Sequence, residues 1–106
     1  MNTILVTDTT FETEVSKSDK PVLVDFTAAW CPPCRLLGPV LDEIAAEHGE
    51  RYKVTKVDVD ENPKLAAAFK VRSLPTLMFV KDGEARDFHI GTLGKADIVK
   101  RQAALA

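Results

Sequence analysis

Five consecutive residues, Val22-Leu23-Val24-Asp25-Phe26, restrict this chain's fold more than any other segment. The run is apolar except at Asp25 and has no polar side to show to water, so it suits a central strand covered on both faces. A sheet sandwiched between helices meets that demand, and the neighbouring segments supply the parts. Ile4 to Val6 reads as a short strand. Thr9-Thr10-Phe11-Glu12 matches a capping box, with Thr9 as N-cap and Glu12 at the third helical position, for a short helix to about Ser16. Leu36, Leu37, Val40, Leu41, Ile44 and Ala45 recur at three- and four-residue spacing and mark a long helix. Pro39 lies inside it and is expected to kink it, because the ring removes the bond to the Arg35 carbonyl; Gly49 ends it.

The second half of the chain continues the alternation. Tyr52 to Val59 is valine-rich and strand-like. Asn62-Pro63 reads as N-cap and first residue of a short helix through Phe69. Thr76 to Val80 is β-prone, Lys81-Asp82-Gly83-Glu84 carries the Asp-Gly turn of a tight hairpin, and Phe88 and Ile90 alternate on the returning strand. A last helix from about Lys95 to Leu105 buries Ile98, Val99 and Leu105. The order β-α-β-α-β-α-β-β-α predicts an α/β architecture: a central mixed five-stranded sheet flanked by four α-helices, with a parallel portion and an antiparallel edge. At 106 residues, the chain 1–106 is expected to form a single domain.

Composition excludes several functions. Fourteen basic against sixteen acidic side chains give a net charge of −2, without the basic excess of a nucleic-acid binder. No run of 18 apolar residues offers a membrane helix. The stretch Met1 to Asp8 lacks the positive charge and apolar length of a secretory leader, so a cytoplasmic location is expected. Nothing calls for an oligomer, and a monomer is expected.

The two cysteines, Cys31 and Cys34, are too few for a disulfide-stapled secreted domain. With His48 and His89 they reach the four ligands of a structural zinc site, but those histidines lie in unrelated segments and no second such pair exists. No metal or cofactor is expected. Trp30-Cys31-Pro32-Pro33-Cys34 instead fixes the backbone between two thiols that follow a central strand and open a helix. Cys31 then sits at the helix N-terminus, where free N–H groups and the positive dipole end stabilise a thiolate and lower its pKa below about 8.5. Its sulfur is expected to accept from the Cys34 N–H. One exposed nucleophilic thiol and one shielded resolving thiol make a disulfide-exchange pair.

Five further positions bear on that chemistry. Trp30 either shields the thiols and offers an apolar contact surface or packs in the core. Asp25 is either a strand-edge carboxylate in water or a buried one with a raised pKa, able to take the Cys34 proton. Lys56, on another strand, either modulates Asp25 or is solvated. Ser73-Leu74-Pro75-Thr76 is either an ordinary turn or, with a cis bond, a place where the Leu74 backbone could pair with an extended substrate segment. Gly91 to Leu93 forms either a small apolar rim or a plain loop.

Taken in order, these residues resemble the thioredoxin family over nearly the whole chain. Val24-Asp25-Phe26, Ala28, Trp30-Cys31, Cys34 and Pro39 look like its first signature. Lys56-Val57-Asp58-Val59-Asp60-Glu61-Asn62-Pro63 is similar to its third strand and next helix start. Leu74-Pro75-Thr76 resembles its cis-proline motif, and Lys81-Asp82-Gly83 and Gly91 its terminal hairpin. The resemblance implies a thioredoxin fold and a dithiol–disulfide oxidoreductase acting on protein disulfides, with a thioredoxin reductase as electron donor. It implies Cys31 as nucleophile, Cys34 as resolver, Asp25 as proton acceptor and Pro75 in cis. Two departures stand out. Pro32-Pro33 replaces the family's usual Gly-Pro, which removes an N–H at the helix start and is expected to delay the helix by one residue. Thr27 stands where a tryptophan is common, thinning the aromatic wall.

Three readings follow. The first is a protein-disulfide reductase that contacts substrate through Trp30, Pro32, Pro33, Leu74, Pro75 and Gly91. The second keeps the chemistry but runs it as a more oxidising thiol oxidase or isomerase tuned by Pro32-Pro33. The third is a non-catalytic module that docks partners through Trp30, Leu74 and Gly91.

Overall fold

A computed structural model describes residues 3–105 of the chain. Met1 and Asn2, the start of the stretch read for a leader, and Ala106 lie outside the described residues. Five strands form one sheet: β1 (Ile4–Leu5), β2 (Val22–Thr27), β3 (Lys53–Asp58), β4 (Thr76–Lys81) and β5 (Glu84–Ile90). Their spatial order is β1-β3-β2-β4-β5. Strands β1, β3 and β2 run parallel, while β4 is antiparallel to β2 and β5 to β4. Helices α1 (Pro32–His48), α2 (Pro63–Ala68) and α3 (Lys95–Ala103) join a five-residue helical segment, Glu12–Ser16. This is the mixed five-stranded sheet with four helices that the alternation predicts.

β2 is central and covered on both sides. Val22, Val24 and Phe26 join one apolar cluster with Val15 and Leu65; Leu23 joins the other, with Leu37, Leu41 and Ile44 of α1 and Ile98 of α3. Burying a side chain such as Phe26 fully contributes roughly 1.5–3 kcal/mol, which is why this run dictates the layering. By alternation Asp25 points with Leu23, towards α1. The hairpin turn is left-handed at both central residues, Asp82 at φ 52° and Gly83 at φ 76°, as the Asp-Gly signal requires.

Several local expectations give way. The capping box on Thr9 does not form. The turn starts at Thr7, whose N–H reaches Thr10 Oγ1 at 2.9 Å and whose carbonyl accepts from Phe11 at 3.0 Å. The segment then widens, the Lys17 N–H bonding Glu12 O five residues back. Asn62 is the N-cap residue of α2, as expected, its carbonyl accepting from the Ala66 N–H at 3.3 Å, but its side chain makes no capping bond. Its side chain accepts from the Asp8 N–H, and Asp8 Oδ1 in turn accepts from the Leu65 N–H at 3.0 Å. α1 does hold Pro39 inside it and ends at Gly49, as expected. Leu36 does not share its buried stripe and is 77% exposed. On α3 the buried residues are Ile98 and Gln102, one turn apart, with Val99 and Leu105 only partly covered.

Candidate active site

β2 ends at Thr27, and Cys31 stands four residues on, its N–H bonded to Ala28 O at 3.2 Å. Cys31 is extended, at φ −89° and ψ 109°, and caps α1: its Sγ accepts from the Cys34 N–H at 3.4 Å, as expected, and its carbonyl takes the first helical bond from Arg35. The helix begins at Pro32, not one residue later. A proline in the first helical position loses nothing, because that N–H has no intrahelical partner and the ring already holds a helical φ. Pro32 and Pro33 are both exposed and neither has an N–H, so in the first turn only Cys34 donates to the Cys31 sulfur.

The two sulfurs are joined as a disulfide, with Cα atoms 5.3 Å apart. The expected contrast of one exposed and one shielded thiol is absent in this oxidised form: Cys31 and Cys34 are 3% and 4% exposed. Ala28 packs with both, and Val59 and Leu74 close over them. Trp30 is 65% exposed, which removes the core-packing alternative; its indole N–H donates to Asp60 Oδ2 at 2.8 Å. The Leu74–Pro75 bond is cis. Gly91, at φ 99°, donates its N–H to Pro75 O at 2.8 Å, so the Leu74-Pro75 loop and the end of β5 are tied beside the disulfide.

Asp25 is buried, not solvated. It is 1% exposed, and its Oδ1 has no hydrogen-bond partner among the described residues. Burial pushes its carboxyl from the ordinary 3.8 up to about 7, against a downward pull from the Lys56 charge. Lys56 is the direct neighbour of Asp25 across β2 and β3. Both line a cleft of about 410 Å³ that also reaches Cys34, so the carboxyl and the second sulfur share one opening.

Asp42 was not foreseen from the sequence. It lines the same cleft, its Oδ1 accepts from Thr3 Oγ1 at 2.8 Å, and it stands 4.0 Å from Lys56 Nζ. A signal existed: Cys34, Gly38 and Asp42 are spaced by four and stack along one stripe of α1. A Cβ at Gly38 would lie 3.6 Å from Lys56 Nζ, an ordinary contact, so the ammonium group stands directly over this turn of α1. Asp60, the partner of Trp30, had no such signal. His48, at the end of α1, and His89, which contacts Thr92 O from β5, are not brought to the cysteines. Among the described residues no group of three or more His, Cys, Asp or Glu is placed to hold a metal ion, and no helix is long and apolar enough to cross a membrane.

The family model described as Thioredoxin matches residues 2–104. Thioredoxin 1 of Synechococcus elongatus is 50% identical over 93 residues, covering 88% of this chain and 87% of the relative. Thioredoxin of Mycobacterium tuberculosis is 50% identical over 98 residues, covering 92% and 84%. Thioredoxin of Rickettsia bellii is 46% identical over 95 residues, covering 90% of each.

Proposed function

We propose, from the premise that this chain belongs to the thioredoxin family, that it works in the reducing direction on protein disulfides. That it is a dithiol–disulfide oxidoreductase follows from the family and from the Cys31–Cys34 disulfide. The direction and the role of each residue are our reading. One observation carries it: the Cys31 sulfur caps α1 while Cys34 and the buried Asp25 share a cleft beneath it.

The Cys31 thiolate attacks one sulfur of a substrate disulfide. A mixed disulfide forms and the other substrate sulfur leaves as a thiolate. Asp25 takes the Cys34 proton through the cleft, and Lys56 modulates how readily it does so. The Cys34 thiolate then attacks Cys31 Sγ, which closes the internal disulfide and releases the second substrate thiolate. Two electrons have passed to the substrate. A thioredoxin reductase restores the dithiol. Trp30, Pro32, Pro33, Leu74 and Gly91 form the contact surface; Pro75, also expected there, is buried and supports the Leu74 backbone, which pairs an extended segment of substrate. The chain acts as one domain, as a monomer, in the cytoplasm.

The oxidase reading loses ground on a physical point. A strong dithiol oxidant needs its reduced thiolate strongly stabilised. With prolines at the first two helical positions, Cys31 receives one N–H in the first turn, from Cys34. A glutathione titration is expected to give about −270 mV, the potential typical of thioredoxins; a value near −120 mV overturns the direction. Catalysed reduction of insulin by dithiothreitol is the direct assay. Cys34→Ser is expected to accumulate substrates covalently on Cys31, and failure to trap any removes the assigned roles.

A further inference from the structure

Beyond the disulfide, one part of the sheet lacks cover. Phe88 and Ile90 stand on β5 opposite Met78 and Thr76, and cross-strand partners share a face. Met78 is in the core cluster that Leu65 of α2 and Val15 help to close. α2 ends at Ala68, and Phe88 and Ile90 are left 47% and 68% exposed. Apolar side chains scattered singly on a surface need no explanation. These two line a groove of about 320 Å³ whose other wall is Phe69 and Val71.

The rim of the groove is cationic. Lys70 and Arg72 are exposed and line it, and neither meets a carboxylate among the described residues, although the chain as a whole is acidic. Lys70 sits at φ 55°, just past the end of α2, where the next residue's N–H bonds back to Ala66 O. Glycine is the residue that best fits that position. A long cation is held there against backbone preference. Ser73 also lines the groove and leads directly into Leu74 at the disulfide, so the groove continues the contact surface of the active site.

We propose that this groove is a substrate-selecting subsite, which takes an acidic, apolar stretch of the partner protein close to the disulfide being reduced. The apolar side chains of the stretch lie between Phe69 and Phe88, and its carboxylates meet Lys70 and Arg72. The inference rests on the reductase reading and adds to it a preference among substrates.

The test uses the full chain and disulfide-linked peptides identical except beside the cystine, where one carries Glu-Leu-Glu-Leu and the other Lys-Leu-Lys-Leu. The wild type is expected to reduce the acidic peptide with a kcat/KM about five- to ten-fold higher, the preference shrinking as salt rises. The ratio cancels losses common to both peptides. Lys70→Gly with Arg72→Gln is expected to abolish the preference without loss of stability, since glycine suits position 70. Lys70→Glu with Arg72→Glu is expected to reverse it. A second pair, Ser-Leu-Ser-Leu against Ser-Ser-Ser-Ser, reads the apolar wall, and Phe88→Ser should erase the advantage of leucine. Equal kcat/KM for the acidic and basic peptides, or an acidic preference that survives Lys70→Gly with Arg72→Gln, overturns the subsite alone. Reduction of none of the peptides overturns the reductase reading with it.

Discussion

Asp25 and Gln102 are equally hidden, each 1% exposed, and each leaves a buried side-chain oxygen without a hydrogen bond among the described residues. Their surroundings differ. Asp25 opens on a cleft with a lysine as its cross-strand neighbour and a redox cysteine, Cys34, in the same lining. Gln102 sits one turn after Ile98, on the face of α3 that packs into the core, and lines none of the clefts described above. Both side chains carry the penalty of lost hydration. Only at Asp25 is there a charge to answer it and an opening that reaches the redox pair. A buried orphan polar group points to function when it borders an opening, and to mere instability when it does not.

The largest effect expected from this contrast is on Asp25. Its folded pKa, about 7, lies above the ordinary 3.8, so between those values the folded chain keeps a proton that the unfolded chain releases. The stabilisation is fully present below 3.8 and is lost as pH rises through about 7. The difference of about three units corresponds to a loss on the order of 4 kcal/mol by pH 8. Asp25→Asn carries no charge and avoids that loss. Denaturant unfolding at pH 8 should show the variant more stable by up to this amount, with the gap closing towards pH 4. Its turnover should fall by roughly a hundred-fold in assays limited by Cys34 attack. Equal stability of the two proteins across this range would dissolve the contrast.

Gln102→Leu is the matching experiment in the other region. It replaces an amide with no partner by an apolar group of similar size, and a gain of about 1–3 kcal/mol is expected at every pH. Insulin reduction should not change. Both substitutions therefore stabilise, and only the first lowers activity. Destabilisation by Gln102→Leu would mean that the amide is satisfied after all, and the comparison would lose one of its sides.

These two positions also show how far the sequence can be read. Asp25 stood out because it interrupts an apolar run, and a strand in such a run has no dry place for a carboxylate except beside a functional opening. Gln102 did not, because a polar residue on the last helix of a chain looks like any solvated one, and only the packing of α3 on α1 reveals its burial. Cys31 as helix cap was legible from strand, prolines and spacing. For Asp42 the spacing from Cys34 is legible but its place opposite Lys56 is not, since that depends on how α1 lies over β3. The threonines near the N-terminus illustrate a local limit. Thr7, Thr9 and Thr10 can all offer caps, and pattern alone chose Thr9, whereas the backbone turned at Thr7. Likewise the alternation of Phe88 and Ile90 identifies a strand but not that both side chains stay exposed.

The finest test separates burial from charge within the Asp25 cleft. Lys56 pulls the Asp25 carboxyl down, while its ammonium group also stands 4.0 Å from Asp42. Lys56→Met keeps the apolar stem and removes the charge. The midpoint of the Asp25-dependent step should then move to higher pH, and stability at pH 8 should fall, opposite in sign to Asp25→Asn and smaller. Asp42→Asn should move the midpoint the other way, for two reasons that agree in sign: a negative charge leaves the cleft, and Lys56 is freed to face Asp25. The readout is the pH profile of turnover together with a carbon-13 titration of the Asp25 carboxyl. Opposed shifts would show that the cleft's charges trim what burial sets. Midpoints that stay fixed in both variants would leave burial as the sole control of that proton, and Lys56 as a solvated lysine.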